Sequence, residues 1–352
     1  MIYDIMLSGY YGFGNSGDEA LLQMILQDLR VCRPGLSIVV LSQNPEETAR
    51  MHHVKAVNRM DLKEIFRILK KTKLLISGGG SLIQDATSSK SLYYYLTLIG
   101  MAKKCGCKVM LYANGIGPVD SSLNRLIAGK ILNRVDLITL RDPDSLIELR
   151  KMNVDIPEIT VTADPALRLK ECSEEKSDEL LCRYGCNQPP IIISLRNWKT
   201  FDETICKEVK RYMVEMRSRY GCKSLLLPMQ PSEDTEICRM VAKGTDAMVL
   251  ENLKADEVLG LMKKSAAVVG MRLHSLIYAA SVGAAPVGIV YDPKVQGYLC
   301  YLGLESYLSV EKIDAQELVR LTALARESEY GSMMSNMKKK AIHNAELAVS
   351  LL

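Results

Sequence analysis

No stretch of the sequence approaches the roughly 20 consecutive apolar residues that cross a bilayer, so membrane contact is expected to be peripheral at most. Residues 1–8 lack a basic segment, a long apolar run and a small-residue cleavage site, so export is not expected. The protein reads as cytoplasmic, with any membrane contact at the inner face. Histidine is scarce: there are four, two of them adjacent at His52 and His53, and the ten cysteines contain no C-x-x-C pair. A metal centre therefore has few ligands to draw on, and none is expected. In a long chain without a leader, those cysteines read as reduced thiols. Excess charge of one sign is lacking too. The formal net charge is only +4, which argues against a nucleic-acid partner. The basic clusters at Lys70, Lys71 and Lys73, at Lys103 and Lys104, and at Lys338, Lys339 and Lys340 read as solvated helix faces.

What is present is the composition of a globular protein, 48% hydrophobic and 24% charged, in 352 residues. That length exceeds what one core usually serves and predicts two domains. Short apolar runs at 2–7, 37–41, 74–76, 109–112, 136–140 and 159–162 alternate with segments of helical periodicity. This is the rhythm of a parallel sheet with crossover helices. The polar stretch KECSEEKSD at 170–178 interrupts it, and a second series follows at 191–195, 224–227, 247–250, 266–269 and 287–290. The predicted domains are 1–170 and 171–352. KKTKLLISGGGSLI at 70–83 echoes KKSAAVVGMRLHSLI at 263–277 with one added residue, a similarity that chance or duplication explains equally well. The fold class expected is α/β, two doubly wound Rossmann-like lobes facing a cleft, with ligand groups at the carboxyl ends of strands.

The segment SGYYGFGNSGDEALL at 8–22 holds Gly12, Gly14 and Gly17 in the G-x-G-x-x-G spacing of a dinucleotide fingerprint. Asp18 and Glu19 follow where a pyrophosphate would sit, and the second strand ends in Ser42, Gln43 and Asn44 instead of an acidic residue for the ribose. A dinucleotide cofactor is therefore not expected. Glu19 reads as a helix cap; Asp18 reads either as a cap or as a site residue. SGGGS at 77–81, followed by Gln84 and Asp85, places three successive glycines between strand and helix. Each would weaken a regular element by roughly 0.5–1 kcal/mol, which favours a loop that approaches a ligand. ANGIGPV at 113–119 repeats the pattern and reads as packing, with Asn114 able to face a cleft. Arg141, Asp142 and Asp164 end strands and read as paired with one another or as helix caps.

In the second series, Arg196 ends a strand that otherwise looks fully buried, and a guanidinium there needs an anionic partner. Trp198, the only tryptophan, reads as packing or as stacking. VVGMRLHSLIYAA at 268–280 delivers Arg272, His274 and Ser275 to a helix N-terminus, where free amides and an arginine make an anion-binding position. YDPK at 291–294 adds Asp292 and Lys294.

In order, GNSGDEALL, SGGGSLIQD, ANGIGP, LRDPDS, TADPAL, ISLRNW, GMRLHSLI and GIVYDPK resemble the motifs of the polysaccharide pyruvyl transferase family, particularly its CsaB-like cell-wall branch. The resemblance runs from about Ser8 to Lys294. One departure is Asn197, where the branch has proline. The resemblance implies a fold similar to GT-B glycosyltransferases, and phosphoenolpyruvate as co-substrate in place of a nucleotide sugar, with no cofactor. It implies transfer of pyruvate as a ketal onto a sugar acceptor, N-acetylmannosamine of a lipid-linked cell-wall precursor. Phosphoenolpyruvate is assigned to the second lobe, at Arg196, Arg272, Leu273, His274 and Lys294. The acceptor is assigned to the first, at Asn15, Gly17, Asp18, Gly79, Gly80, Asp85 and Asn114. The reaction needs an acid and a base: His274 is assigned as proton donor or phosphate-side acid and Asp18 as base or hydroxyl-orienting group. A GT-B nucleotide-sugar transferase and a non-catalytic sugar-binding protein of wall assembly are the alternatives.

Overall fold

The computed structural model describes residues 2–86, 88–198 and 203–352. The chain divides into two compact units, Met1–Pro165 with Asn336–Leu352, and Ala166–Ser335.

The first unit is built on seven parallel strands: β1 (Tyr3–Ser8), β2 (Ile38–Ser42), β3 (Lys55–Asn58), β4 (Thr72–Gly78), β5 (Lys108–Asn114), β6 (Leu137–Leu140) and β7 (Glu158–Val161), in the order β3-β2-β1-β4-β5-β6-β7. Strand order reverses between β1 and β4, so the loops leaving those two strands diverge. Such a reversal is where open α/β sheets form a crevice. Successive side chains point to opposite faces, and both faces are covered, which is why these strands read as continuous apolar runs. Met6, Leu41, Leu75 and Leu111 pack with Ile65, Leu92 and Leu96, while Ile5, Leu7, Val40 and Ile76 pack with Leu22, Ile25 and Leu29.

The second unit holds β8 (Ile191–Ser194), β9 (Ser224–Leu226), β10 (Met248–Val249), β11 (Ala267–Gly270), β12 (Pro286–Val290) and β13 (Tyr307–Ser309) in the order β10-β9-β8-β11-β12-β13, again parallel and reversing between β8 and β11. The α/β reading with two doubly wound sheets is what the structure shows. No helix among the described residues is long and apolar enough to cross a membrane.

Three features differ from the sequence expectation. β3 and β13 were not foreseen: both are edge strands, and each buries a single residue, Val57 and Leu308, so neither carries an apolar run. Residues 336–352, assigned by rhythm to the second domain, pack on the first. Ala345 and Ala348 of the helix Gly331–Ser350 join its core. Buried Asn344 accepts from Thr162 Oγ1 at 2.7 Å and donates to the Ala163 carbonyl at 3.1 Å. A terminal helix with a small alanine face carries no signal of which sheet it covers.

Candidate functional site

In the first unit, β1 runs into a loop whose Gly12 and Gly14 take φ of 78° and 71°, values that favour glycine. The loop amides form a concavity for an anion, and the chain fills it itself. Gly12 N donates to Glu19 Oε1 at 2.7 Å, and the amides of Phe13 and Gly14 also bond to that carboxylate. Burial raises the Glu19 pKa, with the three amides pulling against it. Asn15 caps the helix Ser16–Cys32, its Oδ1 accepting from Gly17 N at 3.0 Å and Asp18 N at 3.4 Å. A pyrophosphate would have to displace both side chains.

The triple glycine serves close approach. Gly79 and Gly80 have φ of 70° and 68°; a Cβ on Gly80 would lie 3.0 Å from Asp18 Oδ1, and one on Gly79 2.8 Å from Leu21. The turn after β4 therefore rests against the start of the helix after β1, which gathers Asn15, Gly17, Asp18, Gly79 and Gly80 at the strand-order reversal. Asp85 is engaged elsewhere, accepting from Asp120 N at 2.8 Å, Ser121 N at 3.1 Å and Asn124 Nδ2 at 2.7 Å. It pins the loop after β5. Burial alone would raise its pKa, but these donors outweigh burial and lower it. Asn114 is fully buried and donates to the Ser77 and Tyr112 carbonyls, both at 3.1 Å. Among the described residues its Oδ1 has no hydrogen-bond partner, nor do the buried hydroxyls of Ser8 and Ser77, which are in register across β1 and β4. Orphaned buried polar atoms are rare and costly, and these three sit at strand ends beside the reversal.

Two further features of this unit follow. Arg59, only 7% exposed, sits 4.4 Å from the Tyr94 ring centroid, 5.1 Å from Phe13, 5.6 Å from Tyr95 and 6.0 Å from Tyr10. It also donates to the Gly9 carbonyl at 3.4 Å and so braces the glycine loop. Nothing in the sequence near Arg59 announced this, because the rings come from separate elements. Arg141 and Asp164 pair with each other as their positions suggested, at 3.1 Å and buried.

In the second unit, three strand ends supply polar groups. Arg196, two residues beyond β8, donates from Nη1 to the Tyr291 hydroxyl at 2.8 Å, and its guanidinium lies 5.4 Å from the Trp198 ring and 5.3 Å from the Tyr291 ring. Trp198 and Tyr291 pack at 4.5 Å and 49°. Trp198 thus packs against Tyr291 and the core of this unit, beside the arginine. Arg196 Nε is buried without a partner, and no carboxylate among the described residues pairs with this guanidinium. Ser194 Oγ, at the end of β8, is likewise buried without a partner.

Arg272 behaves differently. Its Nε donates to Asp234 Oδ2 at 3.0 Å, and its Nη2 donates to Asp234 Oδ1 at 2.6 Å and Glu233 Oε2 at 2.9 Å. Asp234 is fully buried and also accepts from Gln230 N at 2.9 Å. Burial raises the Asp234 pKa while Arg272 opposes it. Burial disfavours the charge on Arg272, yet the two carboxylates outweigh it and raise its pKa. Arg272, read from the sequence as part of an anion-binding helix start, is thus paired with Asp234 and Glu233 in the folded chain. The acidic first turn of the helix Pro231–Ala242 was the available signal.

Arg272 is the N-cap of the helix Leu273–Ser281 and makes no side-chain cap bond there. Leu273 opens that helix, and the half-buried His274 stands edge-on to Tyr278 with centroids 6.5 Å apart. Asp292 caps the helix Pro293–Tyr301 by accepting from Lys294 N at 2.9 Å. The Arg196–Tyr291 bond joins the chain after β8 to the chain after β12, and β11 lies between those strands. It therefore crosses the strand end that feeds the Leu273–Ser281 helix. A guanidinium with unclaimed N–H groups beside a helix start lacking a side-chain cap is suited to holding an oxyanion.

Comparison with known proteins adds three findings. Residues 15–293 match the family model described as polysaccharide pyruvyl transferase. The amylovoran biosynthesis protein AmsJ of Erwinia amylovora is 22% identical over 384 residues, covering 92% of this chain and 90% of that protein. Among solved structures, UDP-GlcNAc 2-epimerase from Methanocaldococcus jannaschii superposes with a TM-score of 0.68 at 12% identity, over 99% of this chain and 100% of that one. Anabaena HepE in complex with UDP-glucose superposes with a TM-score of 0.62 at 12% identity, over 99% and 96%. These likenesses establish a GT-B-like pair of Rossmann lobes.

Proposed function

Because this chain belongs to the polysaccharide pyruvyl transferase family, we propose that it transfers pyruvate from phosphoenolpyruvate to a sugar of a surface-polysaccharide precursor, closing a ketal and releasing phosphate. The observation that carries this reading is Arg196, a guanidinium at the reversal point of the second sheet that pairs with no carboxylate among the described residues. Phosphoenolpyruvate bears a carboxylate and a phosphate, and such a ligand answers an uncompensated cation beside helix amides. The relation to AmsJ supports polysaccharide biosynthesis as the setting.

The chemistry balances as follows. The methylene carbon of phosphoenolpyruvate takes a proton, and one sugar hydroxyl adds to the adjacent carbon and loses its proton. Phosphate leaves that carbon; the second hydroxyl adds and loses its proton. Of the two hydroxyl protons, one matches that gained by the methyl group and the other leaves with phosphate. We assign the carbon protonation to His274 and the orientation of the acceptor hydroxyl to Asp18, whose carboxylate stands at Gly80. Arg196, the Leu273 and His274 amides and Lys294 are assigned to the donor, with Arg272 shaping the turn that presents them. N-acetylmannosamine on a lipid carrier is the acceptor we propose, met at the inner membrane face.

The test is incubation with phosphoenolpyruvate and lipid-linked N-acetylmannosamine disaccharide, following phosphate and product mass. Phosphate released in step with a product carrying one pyruvate ketal supports the reading. A product formed only from a nucleotide sugar contradicts it.

A further inference from the structure

Among the described residues no carboxylate holds Arg196, and another group fixes its direction. That group is the Tyr291 hydroxyl, whose oxygen accepts from Nη1 at 2.8 Å. A tyrosine hydroxyl carries one hydrogen of its own, and among the described residues no acceptor takes it. The oxygen is turned towards the guanidinium, so the hydrogen is left for a ligand. The ring cannot readily turn away, because Trp198 packs on it at 4.5 Å. Tyr291 directly follows β12, Arg196 follows β8, and the helix Leu273–Ser281 starts after β11 between them. Three kinds of donor therefore meet at adjacent strand ends: the Arg196 N–H groups, the Tyr291 O–H and the amides of a helix start.

We infer that Tyr291 is a donor-binding residue that both positions Arg196 and gives its own hydroxyl hydrogen to an oxyanion of the bound substrate. This inference rests on the phosphoenolpyruvate reading above. The oxyanion belongs either to the phosphate or to the carboxylate of that substrate, and the same donors suit both.

The experiment is calorimetric titration of wild type, Tyr291→Phe, Arg196→Ala and the double variant with phosphoenolpyruvate, inorganic phosphate and pyruvate, beside steady-state kinetics. Phenylalanine keeps the ring and its Trp198 contact but removes the oxygen. The expected result is a rise of about 10- to 100-fold in the dissociation constant for phosphoenolpyruvate and in its KM, with kcat changed far less and the melting temperature close to wild type. A parallel loss for phosphate places the hydroxyl at the phosphate end, and one for pyruvate places it at the carboxylate end. The double variant should lose less than the product of the two single losses, because the residues act as a unit. Tyr291→His keeps a donor and an acceptor and should retain more affinity than Tyr291→Phe; it also serves if the phenylalanine variant does not fold. Wild-type affinity in a folded Tyr291→Phe protein overturns this inference alone. A wild-type protein that does not bind phosphoenolpyruvate overturns the reading of function as well.

Discussion

In the first unit, the loop leaving β1 has its amides occupied by Glu19 and its following helix capped by Asn15. In the second, the chain leaving β8 carries Arg196 with no carboxylate partner among the described residues, and the helix after β11 has no side-chain cap. The two sheets share a strand order around the reversal, yet one finishes with its own anion in place and the other with cationic and N–H groups to offer. The glycine-rich stretch resembled a phosphate loop and is closed from within; the stretch Leu195-Arg196-Asn197 resembled no nucleotide fingerprint and is the open one. Whether a helix start binds anions depends on which side chains of the same chain already compensate it. A similar division runs within the second unit, where Arg272 is compensated by Asp234 and Glu233 and Arg196 pairs with no carboxylate among the described residues.

That division is most sharply broken by comparing Arg272→Ala with Arg196→Ala. Removing Arg272 leaves Asp234 as a buried carboxylate without its partner, and breaking a buried pair costs about 3–5 kcal/mol. Chemical denaturation should show that loss. Arg196→Ala strands no carboxylate, so its denaturation midpoint should stay near wild type while donor binding weakens by about 1.5–3 kcal/mol. The reverse pattern, with Arg196 stabilising and Arg272 binding, would show that the compensated cation is the functional one.

Glu19→Gln sharpens the contrast from the other side. It replaces a buried carboxylate, one that accepts several amides, with a group that keeps a single acceptor oxygen. The expected loss is about 1–2 kcal/mol of stability by urea titration, with donor affinity unaltered. A change in donor affinity without a change in stability would give the glycine loop a ligand role.

The smallest effect concerns Asp85, whose carboxylate holds the loop after β5. Its pKa is lower in the folded chain than its ordinary value, so its contribution to stability is present above that value and is lost as pH falls through the lowered one. Thermal melts of wild type and Asp85→Asn should therefore differ at neutral pH and converge once the pH has fallen below the lowered value. A difference that persists in acid would assign the effect to shape and not to charge.

Much of this architecture was legible because it rests on continuous apolar runs: β4 and β8 are buried on both faces and cannot be mistaken for loops. The edge strands and the partner of the last helix were not, since a short polar edge and an alanine face carry little pattern. Candidate residues close in sequence, such as Arg272 and His274, were legible as a motif. Their partners were not. Asp234 lies 38 residues from Arg272, and Tyr291 lies 95 from Arg196. Only the folded strand ends bring them together, and the difference between a compensated and an uncompensated arginine is invisible without them. Ser8 and Ser77 were overlooked for a related reason, as a serine ending an apolar strand looks like an ordinary boundary.

The central claim is that the second unit holds phosphoenolpyruvate through Arg196. It is tested most directly by calorimetric titration of the wild-type protein and Arg196→Ala with phosphoenolpyruvate, with UDP as the control. The account predicts saturable binding of phosphoenolpyruvate to the wild type, a marked loss in Arg196→Ala, and no comparable binding of UDP. Tight binding of UDP with none of phosphoenolpyruvate, or equal phosphoenolpyruvate affinity in both proteins, would contradict it.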